Sequence, residues 1–205
     1  MKKTAVKELN ILITGVGGQG VIMLSEILGE AIVDEGLKVR GSEVLGMAVR
    51  GGSVFSNLRI GEDVYGPLTP VGKCDVMLAM EPTEAIRNLI YLSKQSTVIL
   101  NTNTIEPFTC ALGQSTYPSL SEILNALVPV VDKIYSVDLK ALAMESGSLQ
   151  SSNIVMLGAL FGTGKIPISA DKMKEIIKSR FPSKTLPSNL KAFDLGYDSI
   201  PCNPR

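Results

Sequence analysis

Two glycine clusters hold the residues of this chain whose types and spacing could do chemistry. The first is Gly15-Val16-Gly17-Gly18-Gln19-Gly20, in which Gly15, Gly17 and Gly20 reproduce the spacing G-x-G-x-x-G. It follows an apolar run and precedes a helical pattern. Glycines there let an anion approach backbone N–H groups at the positive end of a helix without a Cβ in the way. A dinucleotide site also needs an acid at the end of the second strand to hold the ribose hydroxyls. That place reads Val39-Arg40-Gly41-Ser42, with Glu35 before it and Glu43 late. The turn therefore reads as an anion site without the ribose acid, or as a turn that only lets a helix pack tightly on a sheet. The second cluster, "SEVLGMAVRGGS" over 42–53, sets Glu43 and Arg50 around Gly46 and Met47 and ends in Gly51-Gly52. Glu43 and Arg50 read either as parts of a ligand loop or as an ion pair on a tight turn.

Chemistry is also bounded by what is missing. The chain has no His, which excludes a Ser–His or Cys–His nucleophile within it. Cys74, Cys110 and Cys202 are odd in number and scattered, which suggests a reducing compartment and no internal iron–sulfur or zinc site. Twenty basic residues balance twenty acidic ones, and Trp is absent, so neither nucleic acid nor an anionic membrane is an expected partner. The segment "GALFGTGK" (158–165) imitates a phosphate-binding loop but fails on register, because Ala159 stands where that loop needs Gly.

The elements that must position these residues follow from periodicity. Leu9–Thr14 is a short apolar run fit for a buried parallel strand. A helix is expected from Gly20 to about Glu35, with Leu24, Ile27, Leu28, Ala31 and Ile32 on one face and Gly36 closing it. Residues 37–44 read as the next strand, in a right-handed β–α–β unit. Residues 54–61 alternate and turn through Gly61-Glu62-Asp63 into "VYGP", which predicts an antiparallel hairpin at the sheet edge. Apolar runs at 75–80, 96–101 and 133–138 predict further strands. Helices are expected from Glu81-Pro82 to about Leu92, from the capping box at Ser119 to Pro129, over 138–147, over 153–162, and from Ser169 to Phe181. Asn153 opens the apolar one of these. The tail from Ser183, with its prolines, reads as a surface wrap. The expected fold is α/β: a single Rossmann-like open sheet, mostly parallel, with an antiparallel edge hairpin, in a single domain over 1–205 with its core over about 9–182. No signal peptide or membrane span is read, so the expected location is cytoplasmic.

"GVGGQG" after the first strand, "SEVLGMAVRGGSV" after the second, and the spacing to "DVMLAMEPTEA" and "NIVMLGAL" together resemble the gamma-type subunit of 2-oxoacid:ferredoxin oxidoreductases. Within that family the chain looks most like the beta subunit of indolepyruvate ferredoxin oxidoreductases. The resemblance runs from about 9 to 197. Leu45 stands where that subfamily often carries His, so no proton-transfer role passes to position 45. The resemblance implies oxidative decarboxylation of a 2-oxoacid to an acyl-CoA. Thiamine diphosphate, magnesium and iron–sulfur clusters are then held by a large partner subunit, ferredoxin is the acceptor, and coenzyme A is shared. It also implies that this chain is inactive alone and contributes no catalytic residue. Gly15, Gly17, Gly18, Gln19 and Gly20 would then form an anion or interface turn. Arg50 would meet a phosphate or a partner carboxylate beside Gly51 and Gly52, Glu43 would orient Arg50, and Asn153 would hydrogen-bond the same loop as Met47. An apolar partner-facing surface would let isolated chains form a homodimer. The alternatives are a stand-alone nucleotide-binding module and an NAD-dependent dehydrogenase.

Overall fold

The computed structural model describes residues 6–201, so Cys202, Pro204 and the opening lysines Lys2 and Lys3 lie outside the described residues. Six strands form one mixed sheet in the order β2-β3-β1-β4-β5-β6. β1 (Leu9–Val16), β4 (Val76–Ala79), β5 (Thr97–Asn101) and β6 (Lys133–Val137) are parallel neighbours. β3 (Ser53–Ile60) runs antiparallel both to β1 and to the edge strand β2 (Val39–Leu45). The expected open α/β sheet with an antiparallel pair at its edge is present.

Both faces of the parallel strands are covered, which explains why these strands read as unbroken apolar runs. Ile11, Ile13 and Leu78 face a core completed by α1 (Val21–Asp34), α5 (Leu139–Ser146), α6 (Ser152–Gly162), α7 (Ala170–Arg180) and α8 (Leu186–Asp198). Leu12, Met77, Val98 and Leu100 face a second core under α2 (Pro82–Arg87) and α4 (Leu120–Leu127). Leu24, Ile27, Leu28, Ala31 and Ile32 form the buried face of α1, as their spacing predicts. Ser119 and Glu122 close the predicted capping box.

The structure corrects two details. Residues 64–67 are not a strand; β3 pairs instead with β2 and is inserted between β2 and β1. Burial drives that choice. Val54, Leu58 and Ile60 pack with α1, whereas β2 is exposed at Arg40, Glu43 and Val44 and suits an edge. The stretch from Ser183 is not an irregular wrap either, since Pro187 enters the first turn of α8. α8 lies against α6 so closely that a Cβ on Gly158 would sit 2.0 Å from Phe193 O, and one on Gly196 would sit 2.0 Å from Val155 O. Between β5 and α4 the chain makes a long excursion carrying the short helix α3 (Phe108–Ala111). No helix among the described residues is long and apolar enough to cross a membrane.

Candidate functional site: two interlocked glycine loops

β1 runs straight into the first glycine cluster, and α1 leaves it. Gly18 and Gly20 take φ of 101° and 78°, a region other residues rarely enter. Gly20 is also the N-cap of α1, with no side chain capping it. The other glycines are required by close approach. A Cβ on Gly15 would lie 2.7 Å from Gln19 Oε1, and one on Gly17 would lie 2.4 Å from Val49 O. Gln19 folds back over the sheet. Its Oε1 accepts from Val16 N at 2.8 Å, and its Nε2 donates to Met80 O at 2.7 Å, tying the ends of β1 and β4 together.

The second cluster docks on the first. Gly17 N donates to Gly52 O at 2.8 Å, and Gly51 N donates to Gly17 O at 3.2 Å. Gly46 N donates to Ser53 O at 2.9 Å and closes the neck of the loop. The tip is left in solvent, with Met47 and Val49 almost fully exposed at 103% and 89%. Leu45, Gly46, Ala48 and Val49 face Val16, Gly17, Gly20 and Val21 across an apolar groove of about 480 Å³. A further groove of about 470 Å³ separates Arg50, Gly51 and Gly52 from Glu106, Pro107 and Phe108.

Glu43 does not orient Arg50: no ion pair joins them among the described residues. β2 continues past Glu43, which sits opposite Ser56, while Arg50 rides on the turn beyond the last paired residues Leu45 and Val54. Asn153 approaches from the other side of the glycine turn. It is buried, its Nδ2 donates to Met23 Sδ at 3.4 Å, and it packs on Gly20 instead of bonding the 46–52 loop.

A cleft of about 430 Å³ opens at the carboxyl ends of β1, β4 and β5, where open α/β sheets bind ligands. Gln19, Asn101, Asn103, Lys140 and Asn153 line it. Its amides are already engaged: Asn101 Nδ2 donates to Met80 O at 2.8 Å, and Asn103 Nδ2 donates to Asp138 Oδ1 at 3.0 Å.

Sequence reasoning reads Glu81-Pro82 only as a helix start and passes over Glu84. Both carboxylates prove to be buried beside the glycine loops. Glu81 caps α2 through Thr83 N at 2.7 Å and Glu84 N at 3.3 Å. It also accepts from Ile105 N at 3.3 Å and from the Tyr117 hydroxyl. Burial, with the Glu81 carboxylate beside it, pushes the Tyr117 hydroxyl well above its usual range. Glu84 accepts from Ser53 Oγ at 2.6 Å and pairs with Arg87 at 3.1 Å. Burial raises its carboxyl, against the opposing pull of those two partners. A signal was present in "MEPTEA": two carboxylates three residues apart at the carboxyl end of a fully apolar strand.

Among the described residues no group of three His, Cys, Asp or Glu side chains could hold a metal ion. Cys74 is buried and its thiol is pushed up to about 12 by desolvation, so it stays protonated and inert. Cys110 lies on α3, in the excursion that leaves the carboxyl end of β5.

Comparison with known proteins places this geometry. The family profile "Pyruvate ferredoxin/flavodoxin oxidoreductase" matches residues 10–199. The chain is 45% identical over 192 residues to "Indolepyruvate oxidoreductase subunit IorB" of Pyrococcus horikoshii, covering 93% of this chain and 95% of that protein. Its fold matches the crystal structure of the gamma subunit of a keto/oxoacid ferredoxin oxidoreductase from Geobacter sulfurreducens. The TM-score is 0.71 at 24% identity, over 95% of this chain and 97% of that one. It also matches 31% of a chain of 2-oxoglutarate:ferredoxin oxidoreductase from Magnetococcus marinus, over 95% of this chain at a TM-score of 0.74 and 24% identity. The stand-alone alternatives fall, because the relative matched over nearly its whole length is a subunit. The sheet order agrees: β3 separates β2 from β1, so an acid at the tip of β2 is not next to the glycine turn as a ribose ligand must be. The chain belongs to the pyruvate ferredoxin/flavodoxin oxidoreductase family, as a gamma-type subunit of the 2-oxoacid:ferredoxin oxidoreductases.

Proposed function

We propose that this chain is the subunit of an indolepyruvate, or aryl-pyruvate, ferredoxin oxidoreductase that carries neither thiamine diphosphate nor iron–sulfur clusters. In this reading it acts in the cytoplasm as one domain over 1–205, is inactive alone, and docks on a large subunit that holds those groups and passes electrons to ferredoxin. The observation that carries the reading is the locked pair of glycine loops. Two hydrogen bonds between Gly17 and Gly51-Gly52 hold this edge, and its apolar tip, Met47 and Val49, has no cover among the described residues. A preorganised loop with an exposed apolar tip is what a subunit contact requires. Isolated chains would pair through the same tip.

The substrate reading is supported by the names of similar relatives, which are indolepyruvate oxidoreductase subunits. Coenzyme A enters because the structurally similar Magnetococcus marinus enzyme was solved with it bound. Thiamine diphosphate supplies the carbanion chemistry on the large subunit. The part of this chain would be to present Arg50, whose planar fork suits a phosphate or a partner carboxylate, at the edge of the passage that admits coenzyme A. Glycines 15, 17, 18 and 20 and Gln19 would fix that edge, and Asn153 would brace it from behind.

The test is anaerobic co-expression with the large subunit and an assay of aryl-pyruvate- and coenzyme A-dependent dye reduction. Activity that requires this chain, and that falls with Arg50→Ala while the complex still assembles, places Arg50 at the coenzyme A passage. Loss of assembly makes Arg50 a contact residue. A large subunit that is fully active alone and does not bind this chain overturns the reading.

A further inference from the structure

The groove between Arg50-Gly51-Gly52 and Glu106-Pro107-Phe108 has two walls far apart in sequence, yet both are tied to the same short helix. The first wall hangs on Ser53, which directly follows Gly52. Its Oγ donates to Glu84 Oε2 at 2.6 Å. The second wall is the loop from Ile105 to Tyr117, and both of its ends reach Glu81 Oε1, through Ile105 N at 3.3 Å and through the Tyr117 hydroxyl. Glu81 and Glu84 are 0% and 3% exposed. They sit at the N-cap and in the first turn of α2, and Glu84 N itself donates to Glu81 Oε2 at 3.3 Å. Between these anchors the tips remain open, with Phe108 75% and Leu112 54% exposed.

Buried carboxylates are costly unless fully partnered, and one turn of helix carrying two of them is a poor choice for stability alone. The partners that lie outside α2 are all loop ends: Ser53 for Glu84, Ile105 and Tyr117 for Glu81. We propose that Glu81 and Glu84 are positioning residues that hold the Arg50 loop and the Phe108 loop as the two walls of one groove at a set distance. The role in turnover rests on the reading that coenzyme A passes along this edge; the tethers themselves do not.

Two mild variants separate the parts. Ser53→Ala removes the donor to Glu84, and Tyr117→Phe removes one donor to Glu81. Hydrogen exchange on the full chain should show the Gly17 and Gly51 amides exchanging about tenfold faster in Ser53→Ala, and the Ile105 amide about tenfold faster in Tyr117→Phe, as loss of a charge-assisted bond predicts. Ser53→Thr keeps the hydroxyl and should restore the native rates. In the assembled complex, Ser53→Ala and Tyr117→Phe should raise the KM for coenzyme A several-fold while kcat stays within about twofold. Unchanged exchange in both variants overturns the proposal. Faster exchange with an unchanged KM upholds the tethers and overturns their role in turnover, and with it the passage of coenzyme A along this edge.

Discussion

Gly17 and Gly52, from loops at opposite ends of the β1–β3 chain segment, meet in a backbone hydrogen bond of 2.8 Å, and Gly17 has no room for a side chain there. The first glycine cluster thus serves as a seat for the second. Gly17→Ala would drive a Cβ to 2.4 Å from Val49 O, a backbone atom that cannot swing away. Urea unfolding should show a loss of about 1–3 kcal/mol, and assembly with the large subunit should weaken as the tip is displaced. Gly18→Ala meets open space and should cost only the strain of its positive φ, about 1–2 kcal/mol.

Gln19 uses both ends of its amide, as acceptor from Val16 N and donor to Met80 O. Gln19→Glu turns the donor into a second acceptor facing a carbonyl. Denaturant titration at neutral pH should show a destabilisation of about 1–3 kcal/mol, more than a surface Gln→Glu change produces.

The carboxyl of Glu84 is raised above its ordinary 4.5 by burial. An acid whose folded value lies above its unfolded one binds more protons in the native state across the interval between them. Stability therefore falls as pH rises through that interval. The wild-type unfolding free energy should drop from about pH 4.5 upward relative to Glu84→Gln, in which this component of the slope is absent. Urea melts of the two proteins over pH 4–8 check the sign, which is opposite to that for Asp138, whose carboxyl is lowered by accepting from Ala141 N and Asn103 Nδ2.

Met47 is fully exposed and contributes nothing to the core. Met47→Asp should leave the unfolding free energy of the isolated chain within about 0.5 kcal/mol. If the loop tip is the docking knob, the same change should weaken binding to the large subunit by tenfold or more, measured by surface-immobilised titration.

The parts of this molecule that are local in sequence were legible. The apolar strands, the amphipathic α1 and the capping box at Ser119 announce themselves within a few residues, because each is set by near neighbours. The two glycine clusters were also legible as unusual. Their interlocking was not, since nothing in the spacing says that Gly17 will face Gly52 rather than a ligand. The Glu81 node was hidden for the same reason: its partners Ile105 and Tyr117 lie 24 and 36 residues away. The expected hairpin at 54–67 misplaced β3 because alternation defines a strand but not its partner, and burial of β3 on both faces decided that. The prolines after Ser183 suggest a surface wrap, whereas Pro187 in a first turn starts a helix.

The close crossing of α6 and α8 at Gly158 and Gly196 bears on when the protein can fold during its own synthesis. α6 is buried along most of its length, and α8 is the last described element to leave the ribosome. Until residue 196 is made and released, α6 lacks the neighbour that covers it, and its apolar side remains open to other nascent chains. Helix α8 therefore acts as a timer: folding of the α6 face is deferred until α8 has been made, and a ribosome stalled before α8 would hold a chain in need of a chaperone.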